Sequence, residues 1–516
     1  MPYTPFKEID LKLPTDYSDD ELQKKIGKSL HVENFKFEIL KQSLDARKKP
    51  DIFWQTKIRV FSEEFKSGDE RPEPKLYIPT IKTNKKVVVV GSGPAGFFAA
   101  YVLQKAGFKV TLIEKGSPVN QRFQDITNFE NGTVQFKDKS NYCHGEGGAG
   151  TFSDGKLTSR TKGIALEKQF IFDSYVDAGA PDEIRYLAKP HIGSDKLRVV
   201  IPNLRKQFEE LGGKIVFDTE ITAMEIKNQK CTGVNSISKN YSCDFLLVAP
   251  GHSSYTTYRM LAENGIRFRT KPFALGVRVE HPQELINISQ WGKAKLSGLK
   301  AADYKLTHTA ANGLPVYSFC MCPGGKVVPS APAARQNIVN GVSDYARNSA
   351  FANSAVVAGL HLDSLLQRQV SVEESLQWME QLEEKVFEIS GSYAIPGSRI
   401  QDFLADMVSQ SIPKNSFPFQ VFPYDFKNFL PAEIVFALKE GLQNFARKIR
   451  GFETGIILGL ESKTSSPVQV IRDEHRRCEG FDNIYIIGEG SGYAGGITSS
   501  AVDGVKAAMG VIDCIL

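Results

Sequence analysis

Val87, Val88, Val89 and Val90 stand in a row and run directly into Gly91-Ser92-Gly93-Pro94-Ala95-Gly96. An unbroken β-branched run of this length predicts a strand buried on both faces of a parallel sheet. Pro94 to Lys105 then reads as a helix stopped by Gly107, and Phe108 to Ile113 as a second strand closed by Glu114. Two later apolar runs behave alike: Phe245 to Val248 enters Ala249-Pro250-Gly251, and Ile484 to Ile487 enters Gly488-Glu489-Gly490. Ile201 to Leu211 predicts a helix with Pro202 in its first turn, closed by Gly212-Gly213. Lys214 to Phe217, Ile221 to Lys227 and Thr232 to Ser238 read as short strands that, with Phe245 to Val248, complete the sheet begun at Val87. Val372, Leu376, Met379, Val386 and Ile389 recur at helical spacing, as do Ile434, Leu438, Leu442, Phe445 and Ile449 after Pro431. Both stripes predict core faces. Gly495-Gly496-Ile497 opens a last helix reaching about Ile515.

These textures divide the chain. Residues 1–80 read as a small N-terminal α/β module. Ile9 to Leu13 is its first strand, Ser18-Asp19-Asp20-Glu21 a capping box opening a helix to about Leu30, and Phe35 to Leu40 and Ile52 to Phe61 two more strands. The basic loop Asp45 to Pro50 reads as a solvated turn, and the charged, proline-rich Ser67 to Pro79 as a linker. Residues 81–267 and 452–516 carry the nucleotide-fold texture. Residues 268–451 mix helices with strands (Phe273 to Glu280, Val316 to Cys320) and read as an inserted α+β domain on the substrate side. The expected fold class is α/β, a Rossmann-type domain carrying that insertion and the N-terminal module.

The first glycine turn specifies chemistry. Gly91 permits a tight turn, Gly93 lets the backbone approach a pyrophosphate, and Gly96 lets the new helix pack on the sheet. The helix N-terminus turns free N–H groups and a favourable dipole toward phosphates. Glu114, at the end of the second strand, is placed to accept from ribose hydroxyls. A glycine triplet alone is weak evidence; strand, turn, helix, strand and acid in register predict a dinucleotide site.

Composition changes this little. The chain has 516 residues, 41% hydrophobic and 24% charged, with a net charge of +5. That suits a soluble globular protein of two to four domains. The mild positive balance suits a dinucleotide or an acidic substrate, with nucleic acid a minor alternative. Seven cysteines scattered over the chain argue against a disulfide framework, and no four-ligand zinc spacing occurs, so no metal is expected. No apolar run reaches membrane-spanning length and Met1 to Glu8 lacks a signal-peptide core, so the cytoplasm is the expected location.

The three glycine segments together resemble FAD-binding proteins of the glutathione-reductase-like class. A longer resemblance covers nearly the whole chain. Glu146 to Leu157, Lys271 to Pro282, Phe319 to Gly325, Glu461 to Pro467 and Gly488 to Asp503 are similar to signatures of a bacterial family of uncharacterised FAD-dependent dehydrogenases. The resemblance implies FAD and a Rossmann-type fold, and names no substrate. It implies that Gly91, Gly93, Pro94, Ala95 and Gly96 surround the pyrophosphate, with Arg122 on a phosphate. Glu114 and Lys115 would hold the ribose and Ile221 the adenine. Gly147, Gly148, Thr151, Ser153 and Gly155 would form a second loop near the flavin, with Ala249 and Gly251 beside it. Gly488, Glu489, Gly495, Gly496 and Ile497 would line the ribityl chain and pyrimidine edge. A helix N-terminus at the last of these would stabilise negative charge on a reduced flavin.

A second Gly-x-Gly-x-x-Gly after a strand is missing. A nicotinamide donor, NADH or NADPH, would therefore dock transiently, or the substrate itself would supply the hydride. Cys143 has no second cysteine within a few residues, which argues against a disulfide reductase. Cys320 and Cys322 read either as a reactive pair beside the flavin or, preferred here, as two reduced cysteines at a strand end and its turn. Lys156, Arg278 and Lys463 are the candidate catalytic residues, with His144, His281 and Thr464 as lesser ones. The expected function is FAD-dependent oxidation of a small molecule. The alternatives are a flavoprotein that binds or modifies RNA, motivated by the loop at Arg47, and one whose FAD is structural.

Overall fold

The structure, a computed structural model, describes residues 5–49, 51–66 and 74–516. Lys86–Val90 lies at the centre of a five-stranded parallel sheet. Its neighbours are Phe245–Val248, with Ile484–Ile486 beyond, and Lys109–Ile113, with Lys214–Val216 beyond. The valine run is buried here because the sheet is covered on both faces. One cover is the helix Pro94–Lys105, apolar on every side, which packs between the sheet and the terminal helix Ile497–Asp513. The two helices touch closely: a Cβ on Gly504 would lie 2.0 Å from the Ala95 carbonyl oxygen.

Two local expectations are corrected here. The expected helix at Ile201 begins at Ser194 and runs to Glu210, with Pro202 in its interior. Leu197, Val200, Leu204 and Phe208 form a buried stripe, and Asp195 Oδ1 accepts from the Tyr345 backbone N–H at 2.7 Å. Packing of the early turns outweighs the single hydrogen bond that proline removes. The strands Ile221–Lys227, Lys230–Ser236 and Asn240–Ser242 do not join the parallel sheet but form an antiparallel meander of their own.

The second large sheet has eight strands and is mostly antiparallel. Its central strands are Pro315–Pro329, Phe351–Leu360, Phe273–Pro282 and Ile456–Glu461. Ile456–Glu461 lies past the boundary expected at residue 451. The crossings between the two sheets are Phe268–Thr270 on the way out and Val468–Val470 on the way back, paired antiparallel. The helices Val372–Ser390 and Ala432–Lys448 bury the two predicted stripes against this sheet. Cys320 and Cys322 are not at a strand end: Pro315–Pro329 runs well past them, with its register slipping on either side of Cys322.

The N-terminal module is a three-stranded antiparallel sheet, Phe6–Leu13, Phe53–Phe61 and Lys36–Asp45, with the helix Asp19–Leu30 on it. Ser18 and Glu21 make the reciprocal bonds of the capping box. In the basic loop Arg47 pairs with Asp45, and Lys49 donates to the Ser289 carbonyl. Pro50, part of the expected linker (67–73) and the chain's opening (1–4) lie outside the described residues.

Candidate functional site

The glycine turn adopts the geometry its sequence demands. Gly91 has φ +94°, and a Cβ there would sit 2.3 Å from the Ala249 carbonyl oxygen. A Cβ on Gly96 would sit 1.9 Å from the Gly91 carbonyl oxygen. Side chains are thus excluded at both positions, and Gly93 caps the helix that begins at Pro94. Glu114 Oε2 accepts from the Ser92 N–H at 2.9 Å and the Ser92 hydroxyl at 2.8 Å, and Oε1 accepts from Gly116 N–H at 2.9 Å. Three of its roughly four lone-pair directions are used, which fixes the carboxylate and leaves acceptor capacity for a hydroxyl.

The turn opens on a cavity of about 400 Å³. Glu114 and Lys115 line it from the end of a nucleotide-sheet strand, Ile221 from the antiparallel meander, Gly91, Gly93, Pro94, Ala95, Ala249 and Gly251 from the turns, and Glu489, Gly495, Gly496 and Ile497 from the start of the terminal helix and the segment before it. Gly148, Ser153, Gly155 and Lys156 line it from the second glycine loop. Lys463, Phe319, Cys320 and Asn340 close it from the eight-stranded sheet. Cavity and donor set fit a dinucleotide: bare backbone approaches one wall, two helix N-termini open on it, and Lys115, Lys156 and Lys463 face it.

Six of the expected cofactor and catalytic residues lie outside the lining, besides the lesser candidates His281 and Thr464. Gly96 packs on Gly91. Gly488 packs on Ala95, where a Cβ would come within 2.5 Å of that methyl. Gly147 and Thr151 shape the second loop from inside, Thr151 Oγ1 donating to the Glu146 carbonyl at 2.9 Å. Arg122 is fully buried and bonds to no open space. Its guanidinium donates to the carbonyls of Asn141 (2.7 Å), Glu146 (2.9 Å), Gly148 (2.8 Å) and Tyr142 (3.0 Å). It organises the loop beside the cofactor site, since a planar five-donor fork satisfies clustered carbonyls better than any other side chain. Arg278 is likewise buried behind the wall, with a carboxylate of its own, Glu461 at 2.8 Å, in place of a substrate.

The polar wall is built from ion pairs. Lys156 Nζ lies 2.9 Å from Asp154, whose other partner is Arg347 at 2.6 Å. Burial works to raise the Asp154 carboxyl, but the two cations overcome it and hold the group below the usual carboxylate range. Lys463 pairs with the buried Glu383 at 2.7 Å and bonds to the Tyr255 hydroxyl. His252 Nδ1 sits 3.0 Å from Glu489. His144 faces the cavity, and burial pushes its pKa well down, keeping it neutral. His281 is buried elsewhere, bonded to the Phe452 carbonyl at 2.7 Å, and Thr464 donates to the Ala274 carbonyl; neither lines the cavity.

Sequence reasoning passed over Asp154, His252, Asn340, Tyr255 and Glu383. Asp154 lies within the Glu146 to Leu157 motif and His252 directly follows Ala249-Pro250-Gly251, so both were within reach. Glu383 sits on a helix whose spacing reads only as core, and Asn340 carries no local signal.

Residues 272–464 match a family described as FAD-dependent protein, C-terminal domain-like, and residues 85–271 one described as pyridine nucleotide-disulphide oxidoreductase. Residues 6–61 match a domain of unknown function. An uncharacterized protein of Clostridium beijerinckii is 38% identical over 529 residues, covering 98% of each chain. An L-amino-acid oxidase of Siganus canaliculatus is 44% identical over 55 residues, 11% of this chain and 10% of that one. A solved geranylgeranyl bacteriochlorophyll reductase-like protein of Thermoplasma acidophilum is 12% identical, covering 84% of this chain and 79% of the other, with a TM-score of 0.36. Identity sustained along the full length of the Clostridium protein, with the glycine cradle and the FAD-dependent domain match in the same chain, places this protein in a family of FAD-dependent oxidoreductases.

Proposed function

We propose that the protein transfers a hydride between a small-molecule substrate and FAD, with the substrate admitted against the wall formed by Lys156, Phe319, Cys320, Asn340 and Lys463. The observation that carries this reading is that one cavity joins the glycine cradle to the polar face of the eight-stranded sheet. Gly91, Gly93 and the helix start at Pro94 would hold the pyrophosphate, Glu114 a ribose and the Ile221 backbone the adenine. Gly495, Gly496 and Ile497 would meet the flavin, which supplies hydride transfer at N5 when bound. Lys156 and Lys463 orient an anionic or carbonyl-bearing substrate; each is held by a buried carboxylate, Asp154 and Glu383, so neither charge is free to swing. Ile456–Glu461 and all of Phe273–Pro282 but Pro282 are buried, which keeps water from the sheet behind that wall.

Two measurements test this. Denatured protein should release FAD and not FMN, and Gly93→Val should abolish its retention; colourless wild-type protein sinks the reading. Anaerobic mixing of the holoenzyme with NADH or NADPH then names the donor. Bleaching by either supports transient nicotinamide docking, whereas a flavin that neither bleaches leaves the donor unnamed.

A further inference from the structure

Cys320 has φ +43°, a left-handed conformation rare for a side-chain-bearing residue. It falls where the Pro315–Pro329 strand slips register against Phe351–Leu360, between Phe319 and Cys322. The irregularity puts Cys320 on the cavity wall and leaves Cys322 fully buried behind it. The Cys322 thiol donates back to the Cys320 carbonyl at 3.2 Å. Lys156 Nζ and Arg278 Nη2 each lie 3.7 Å from Cys322 Sγ, and Arg278 also donates to the Cys320 carbonyl at 2.8 Å. Residues two apart in a strand stand about 6.6 Å between Cα atoms, within the roughly 4.4–6.8 Å that a disulfide bridges. An inert structural cysteine is buried among apolar groups; here two thiols stand two residues apart, one faces the cofactor cavity, and two fixed cations beside the other favour the thiolate. Asp154 and Glu461 keep both cations in place.

We propose that Cys320 and Cys322 form a redox-active dithiol that exchanges electrons with the flavin. The inference rests on the FAD reading above. In the oxidising direction the Cys322 S–H bond breaks and one S–S bond forms to the Cys320 thiolate. Two electrons and the Cys322 proton pass to FAD. In reverse, reduced flavin opens the S–S bond, and Lys156 and Arg278 stabilise the thiolate released. The dithiol gives the protein a second two-electron store beside the flavin.

The test uses the holoenzyme. Samples equilibrated with oxidised and reduced glutathione, quenched by alkylation and mapped by mass spectrometry should show a Cys320–Cys322 disulfide that dithiothreitol removes. Anaerobic reductive titration of the oxidised wild type should take four electrons per flavin, twice the uptake of Cys322→Ser, with Cys320→Ser as a second variant. Independent alkylation of both thiols at every potential, a disulfide to Cys143 instead, or equal uptake by wild type and variants would overturn the proposal. Absence of flavin would overturn the FAD reading, and shows in the absorption spectrum before any titration.

Discussion

Arg122 gives four hydrogen bonds to backbone carbonyls of the 141–148 loop, and Phe152 stacks on it with its ring centroid 4.7 Å from the guanidinium carbon. Burial lowers its pKa to about 10, so it stays charged at neutral pH. Arg122→Met would strand those carbonyls without donors, at a cost of at least about 3 kcal/mol. Urea unfolding should show that loss, and the variant should shed FAD faster because the loop lines the cavity. Unchanged stability would mean that water replaces the guanidinium. Cys320 carries a second prediction. Its thiol pKa is lowered by the neighbouring Cys322 thiol and, against burial, by Lys156 and Arg278, while Asp154 opposes them. Its thiolate is therefore already formed where an ordinary thiol, with a pKa of about 8.5, is still ionising. Iodoacetamide should alkylate Cys320 at a rate nearly flat from neutral pH upward, and Lys156→Met should restore a slope. A wild-type rate that climbs steeply between neutral and alkaline pH would refute this.

At the scale of elements, the Pro94–Lys105 and Ile497–Asp513 helices meet through small residues, and both aim their N-termini at the cavity. Gly504→Val would press its side chain into the Ala95 carbonyl, and overpacking of this kind costs about 1–3 kcal/mol. Thermal unfolding should register it, together with weaker flavin retention as the two helices shift. Gly495→Ala is the contrast: nothing lies within 4 Å of a Cβ there. It should leave the melting temperature of the FAD-free protein unchanged and alter only cofactor affinity; a fall in both would show that the segment is packed rather than open. Element types were readable wherever period and punctuation agreed, as at Val87 to Gly96 or the capping box at Ser18. Pro202 misled because a helix start was inferred from the proline. The buried stripe from Leu197 to Phe208 set the true limits, and that stripe is defined by what it packs on.

Over the whole molecule, stability depends on carboxyls buried in the second sheet. Glu280 is almost fully buried and accepts from Ser416 N–H at 2.9 Å. Burial, against the Ser416 bonds, raises its pKa from 4.5 to about 7. A carboxyl that holds its proton more tightly when folded contributes stability that is full at acid pH and lost as pH rises from about 4.5 to about 7. Glu280→Gln should remove that loss, so its advantage over wild type should grow by about 2.5 kcal/mol between pH 5 and pH 8 in urea unfolding. A constant difference would rule out the raised pKa. The sequence by itself determined the glycine cradle, the strands that end in it and hence the cofactor class. Those features depend on residues adjacent in the chain, whose allowed dihedrals and side-chain sizes decide the turn. Only the tertiary structure decided the other wall. Lys156 and Lys463 meet at one cavity, Arg278 and Arg122 are consumed by internal partners, and Cys320 turns outward at a register slip. A local pattern states that a face is buried; which distant face it meets is set by packing the two sheets together, and the candidate chemistry lies at that junction.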